Sequence, residues 1–271
     1  MAKRGDIDLR MSTTELRSVL ISSLFIGFAV SFNNWGIGDR FIFSVGLINL
    51  FLATLICAIT IWLRTNIQKR AGVSEMTTVT FKHNYTNSVY TFLISILSAG
   101  AFVFAASGRP EVRSVTLLRP GYRESHLSPF RVSRIVAVGT VVSLILIAFA
   151  KLWLVYGGGI LATYLLKTNV WMALVSLIPL PVKGLAAIYQ RTPFYQLAPG
   201  IARAIQIGTP SFEGEQVFFG ARPLWFSLAI ATILVSGFIT LGVGSLNSLI
   251  LSAIIAFAAG LIWIYYIEFK K

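Results

Sequence analysis

The chain has 271 residues, of which 56% are hydrophobic and only 12% charged, with a formal net charge of +13 and a mean hydropathy of +0.77. A soluble domain carries about 25% charged residues, so this balance excludes an ordinary globular fold with a polar exterior. The basic residues flank apolar runs instead of forming a stripe interleaved with stacking aromatics, which excludes nucleic acid and makes membrane lipids the expected partner.

Met1 to Glu15 carries mixed charge and lacks an apolar core followed by a small-residue cleavage site, so no cleaved signal is expected. Seven apolar segments follow, each close to what about 30 Å of hydrocarbon requires: Ser18–Trp35, Phe41–Leu63, Ser88–Ala106, Val132–Tyr156, Ile160–Pro181, Pro223–Gly242 and Ser248–Ile267. No repeat or linker divides them, and residues 1–271 are expected to form one integral membrane domain. The single cysteine, Cys57, lies inside an apolar run, where it reads as a small core hydrophobe; one cysteine excludes an intrachain disulfide and a thiolate cluster.

Short loops rich in Lys and Arg stay on the cytoplasmic side. The N-terminal arm has Lys3, Arg4, Arg10 and Arg17, and the loop after the second segment has Arg64, Lys69, Arg70 and Lys82. The next loop holds Arg109, Arg113, Arg119, Arg123 and Arg131, and would be outside if Ser88–Ala106 crossed. If that segment is instead shallow or re-entrant, every basic loop is cytoplasmic, and the outer connections Gly36–Arg40, Gly157–Gly159 and Val243–Asn247 are short and nearly uncharged. The expected fold is therefore an all-α polytopic membrane protein of the cell membrane, with six transmembrane helices, one re-entrant segment and both termini cytoplasmic; seven transmembrane helices is the alternative. Non-helical backbone at that depth must be shielded by protein. Thr77–Phe81 is rich in β-branched and aromatic residues, and predicts a short strand at the cytoplasmic edge that pairs with Val112–Leu118 in a hairpin; binding of a partner strand along its edge is the functional alternative.

Several stretches, in order, resemble the site-2-protease family of intramembrane zinc metalloproteases in its short archaeal-type form. Thr60-Ile61-Trp62-Leu63-Arg64 ends the second segment where the family carries HExxH, and Gln68-Lys69-Arg70-Ala71-Gly72 follows in place of a Q-R-Y-G-like stretch. Phe102 to Gly108 resembles F-x-F-A-A-P-G, and Ser133 to Gly139 resembles G-K-I-A-L-A-G. Asn169 to Leu174, with Ser176 to Pro181, resembles N-x-W-L-A-L followed by N-L-I-P-L-P. The resemblance implies a metalloprotease-like core over residues 41–224.

In HExxH, two histidines one turn apart bind zinc and the glutamate takes a proton from the bound water. The matching positions here are Thr60, Ile61 and Arg64, which supply neither imidazole nor carboxylate and add a permanent cation. The third ligand of the family aligns either with Lys183, without a gap, or with Glu213 in Phe212-Glu213-Gly214, after an insertion; by itself Glu213 reads as a loop residue. The resemblance thus implies a pseudoenzyme that binds no metal or other cofactor and serves as a membrane binding or scaffold subunit beside a membrane-protein partner. Two alternatives remain: an active intramembrane protease with non-standard residues, such as Ser143 with Lys151 or Glu213, and a carrier or channel subunit, which the scarcity of ionisable residues in the apolar segments disfavours. The two histidines, His83 and His126, read as solvated loop residues, and the Asn84-Tyr85-Thr86 sequon lies on the wrong side for glycosylation. Lys151 and Lys167 are expected to snorkel to the outer interface, and the Trp and Tyr residues near segment ends to form interfacial belts.

Overall fold

A computed structural model describes residues 9–37, 40–75, 77–114, 128–178 and 213–240, with single helical positions at 251, 254 and 258. The described chain is mostly helical: α1 (Thr13–Ser31), α2 (Phe43–Ser74), α3 (Tyr85–Leu97), α4 (Pro129–Val155), α5 (Gly159–Ser176), α6 (Glu213–Gly220) and α7 (Arg222–Thr240). Two small antiparallel ladders complete it. Strand β1 (Gly36–Ile37) pairs with β2 (Arg40–Phe41), and β3 (Thr77–His83) pairs with β4 (Gly108–Ser114).

Three helical stretches, Thr13–Asn34, Phe43–Ser74 and Pro129–Val155, are long and apolar enough to cross a membrane. Of the other apolar segments, α5 has 18 residues and α7 has 19. Ser248–Ile267 lies outside the described residues apart from the three single positions. Large apolar side chains such as Phe43, Phe51, Ile59, Ile230 and Ile233 are at least half exposed. A water-facing surface of that kind is not tolerated by a soluble monomer, and lipid is its natural cover.

Helix α1 starts at a capping box in which Ser12 accepts from Glu15 N and Glu15 reaches back to Ser12 N. Helix α2 departs from expectation. The apolar run ends at Leu63, but the helix continues for eleven residues to Ser74, a total of about 48 Å. Polar anchors hold the extension: Lys69 bonds Glu15 of α1 at 2.8 Å, Gln68 donates to Val136 O of α4 at 3.2 Å, and Arg134 of α4 pairs with Glu75.

The β3–β4 ladder is the expected hairpin with a shifted second strand. Its register pairs Val79 with Val112 and His83 with Gly108, so β4 starts four residues before the expected Val112, and residues 115–118 of that expected strand lie outside the described residues. The ladder also decides the path of the third apolar segment. His83 and Gly108 are neighbours, and Asn84 N donates to Ser107 O at 2.8 Å, so residues 84–107 leave and return at one place. The outward leg is α3, whose 13 residues cover about 20 Å. The chain turns through Ala99 and Gly100, both at positive φ, and comes back as irregular backbone over 101–107, with a tight turn where Ala106 N donates to Phe104 O at 3.0 Å.

Among the described residues the core has two main parts. Leu144 and Ile147 of α4, Ala173 of α5, Val217 of α6 and Leu224 and Leu228 of α7 form one; Ile26 and Val30 of α1, Cys57 and Ile61 of α2, Val103 and Tyr164 form the other. Cys57 is buried as expected, its Sγ 3.4 Å from Thr168 Oγ1. Helices α1 and α2 meet at Gly27, where a Cβ would lie 2.7 Å from Thr54 Cα and 2.8 Å from its N. Backbone cannot yield as a side-chain tip can, so Gly27→Val is expected to cost about 2–3 kcal/mol, read as a lower melting temperature in detergent.

Candidate functional site

The second apolar helix carries Thr60, Ile61 and Arg64, all three less than 9% exposed. Because α2 continues past them, these residues sit inside a helix and not at its end, which corrects the expected boundary. The Arg64 guanidinium reaches α6 and donates from Nη2 to Glu213 Oε2 at 3.0 Å. Glu213 is therefore the first residue of a helix and the partner of a buried cation, not an isolated loop carboxylate.

Two close approaches and two hydrogen bonds hold this pair in place. Gly139 of α4 leaves room for Arg64 and Gln68 to lie flat; a Cβ there would stand 2.6 Å from Gln68 Nε2 and 3.0 Å from Arg64 Nη2. Gly214 lets the start of α6 press on the end of α5, where a Cβ would meet Leu177 C at 2.5 Å. Ser133 Oγ donates to Gln216 O at 3.0 Å, and Trp225 Nε1 donates to Leu177 O at 2.8 Å. Trp225 thus serves as an internal tie between α7 and the end of α5.

A buried guanidinium keeps its charge and needs a counter-ion to offset lost hydration; Glu213 supplies it. Burial lifts the Glu213 carboxyl above its ordinary value of 4.5, and Arg64 draws it part of the way back. Beside the pair is a cavity bordered by Arg64, Gln68, Ala105, Ser107, Ser176 and Glu213. Its volume of about 30 Å³ has room for roughly two waters, and not for a peptide segment.

The zinc centre implied by the resemblance does not fit these residues. The carboxylate that would face a cation is already bonded to a guanidinium, and threonine and isoleucine occupy the other positions. Among the described residues, no three His, Cys, Asp or Glu side chains converge. Lys183 and His126 lie outside the described residues. His83 is not a solvated loop residue: it ends β3 half-buried, its Nδ1 2.9 Å from Ser22 Oγ and its Nε2 3.4 Å from Ser88 Oγ. Burial holds it below its ordinary value of 6.5. Ser143 is fully buried with its Oγ unpartnered, so the envisaged pairing with Lys151 is not formed. Lys167 turns inward instead of snorkelling, donating to Val30 O at 3.1 Å and Gly100 O at 3.5 Å. It joins the end of α1 to the turn after α3, where carbonyls favour a cation.

Two groups of residues went unrecognised in the sequence. Asn87, Thr91 and Ser95, each 0% exposed, recur every fourth position along α3 and face the returning chain. Asn87 Nδ2 donates to Ala106 O and Thr91 Oγ1 to Phe104 O, both at 2.6 Å. The other is Glu15, whose Oε2 accepts from Lys69 and whose Oε1 accepts from Phe81 N at 3.0 Å, tying α1, α2 and β3 together. The i, i+4 spacing of small polar residues in an apolar helix was the available signal for the first; the second offered none beyond the capping box.

Comparison of the chain with protein-family models, curated proteins and solved structures gives no match.

Proposed function

We propose that this protein is a catalytically inactive relative of the site-2-type intramembrane metalloproteases, serving as a binding or scaffold subunit beside a membrane-protein partner. One observation carries the reading. Arg64 and Glu213, 149 residues apart in sequence, are in contact at 3.0 Å, and they stand where the resemblance places the second histidine and, with the insertion, the third ligand. A neutral ion pair takes the place of a metal with its ligands. The re-entrant path of 84–107 supports the topology that goes with it, six crossings with both termini cytoplasmic, because it brings the Arg109–Arg113 stretch back beside β3.

Chain purified from native membranes is expected to hold far less than stoichiometric zinc by elemental analysis, and to leave a membrane-embedded reporter peptide intact. Zinc at one ion per chain that survives dialysis would overturn the inactive reading. In-membrane crosslinking should capture a defined partner; a protein that purifies alone under those conditions would remove the scaffold role.

A further inference from the structure

Away from the ion pair, an open groove of about 500 Å³ runs between the first turns of α1 and the β3–β4 ladder. The hydroxyls of Ser12, Thr14 and Ser18 line one wall; Lys82, Tyr85 and Arg113 line the other. Thr77, Val79 and Phe81 point into the protein, so alternation puts Thr78, Thr80 and Lys82 on the outward face. Their register partners are Arg113, Glu111 and Arg109, which gives that face three cations and one carboxylate. Glu111 is shared between Lys82 and Arg113. The groove's other carboxylate, Glu15, is 5% exposed and already bonded to Lys69 and Phe81 N.

Beside the groove, α1 and α3 pack against each other along an apolar seam. His83 stacks on Phe25 with ring centroids 6.2 Å apart and meets Tyr85 edge-on at 4.6 Å, and Phe28 stacks on Phe92 at 5.2 Å. Val89, 54% exposed, stands beside it. From Ser18 to Phe28 the seam is about 15 Å long, the depth of one leaflet of hydrocarbon. A basic cradle over an apolar track of that length matches a ligand with an anionic head and an acyl tail.

We infer that this groove binds an anionic phospholipid, with the phosphate against Lys82 and Arg113 and one acyl chain along the α1–α3 seam. The inference rests on the membrane reading of the chain and not on the pseudoenzyme reading. Alkaline extraction of membranes is scored first: release of the protein would sink the membrane reading itself. The full chain in detergent is then titrated with phosphatidylglycerol or phosphatidylcholine and analysed by native mass spectrometry. Preferential retention of phosphatidylglycerol is expected, weakened about tenfold to thirtyfold in Lys82→Gln/Arg113→Gln. The control Arg70→Gln/Lys151→Gln, with the same change in charge, should retain it fully. Val89→Trp, which blocks the seam without touching a charge, should also weaken retention. Equal binding of the two lipids, equal loss in the control, no loss in Val89→Trp, or displacement by equimolar inorganic phosphate would each overturn the site. A circular-dichroism melt accompanies each variant, and a loss of binding counts only where the melt matches that of the wild type.

Discussion

Glu213→Leu is expected to destabilise the fold by about 3–5 kcal/mol, the usual cost of stranding a buried charge, while Arg64→Met is expected to cost about half as much. The two ends of the pair are unequal because arginine cannot shed its proton, whereas a carboxylate left alone in a buried site can take one up. Removing Arg64 removes the charge that draws the Glu213 carboxyl back toward 4.5, so in Arg64→Met its folded value rises further above the unfolded one. The folded state then binds the extra proton, and stability falls as pH rises from about 4.5 up to the raised value and levels off beyond it. Arg64→Met should therefore be most stable in acid, and Glu213→Leu should lack that dependence. The pair replaced together by Arg64→Met/Glu213→Leu should recover most of the loss. Thermal melts of the three variants across pH 4–8 check the set, and equal, pH-independent losses in the two single variants would refute the assignment.

The other large effect is expected along α3. Asn87→Leu/Thr91→Val removes the donors to Ala106 O and Phe104 O without changing the helix's outer face. Ala106 O loses its side-chain donor, a stranded group that costs about 1–3 kcal/mol, whereas Phe104 O keeps the bond from Ala106 N at 3.0 Å and loses only one of its donors, about 0.5–1.5 kcal/mol. A combined loss of about 2–4 kcal/mol is expected, with the return freed from α3. Limited proteolysis reads that release as new cleavage within 98–107. If the doubly substituted chain resists protease there as the wild type does, the stripe does not hold the return. Val89→Ala, on the exposed side of α3, should change neither readout.

Much of the fold was legible because hydrocarbon imposes so simple a rule. The apolar lengths placed α1, α2, α4, α5 and α7, and the β-branched run from Thr77 placed β3. The excess of arginine between 109 and 134 pointed to a segment that turns back, and the path from His83 to Gly108 is of that kind. The boundaries failed where polar residues were stabilised by distant partners. Lys69 and Gln68 look like the end of a helix until Glu15 and Val136 O are beside them. His83 reads as solvated until the hydroxyls of Ser22 and Ser88 are in place. Of the candidate site, Arg64 and Glu213 were named from the sequence, but their contact across 149 residues was not legible there. The polar stripe of α3 was missed because the hydroxyls of Thr91 and Ser95 scarcely alter hydropathy and Asn87 falls just before the apolar segment read from Ser88, although together, at every fourth position, they carry a face.

Lys167 closes the turn at Gly100 but comes from α5, 67 residues later in the chain. While the ribosome is still making α4, the α3 excursion has its own side chains to satisfy Phe104 O and Ala106 O, but its tip has no ammonium against the carbonyl of Gly100. The order of synthesis therefore gives the nascent protein two stages. The excursion can enter the bilayer early as a self-satisfied unit, and it is clamped to the far end of α1 only when α5 arrives.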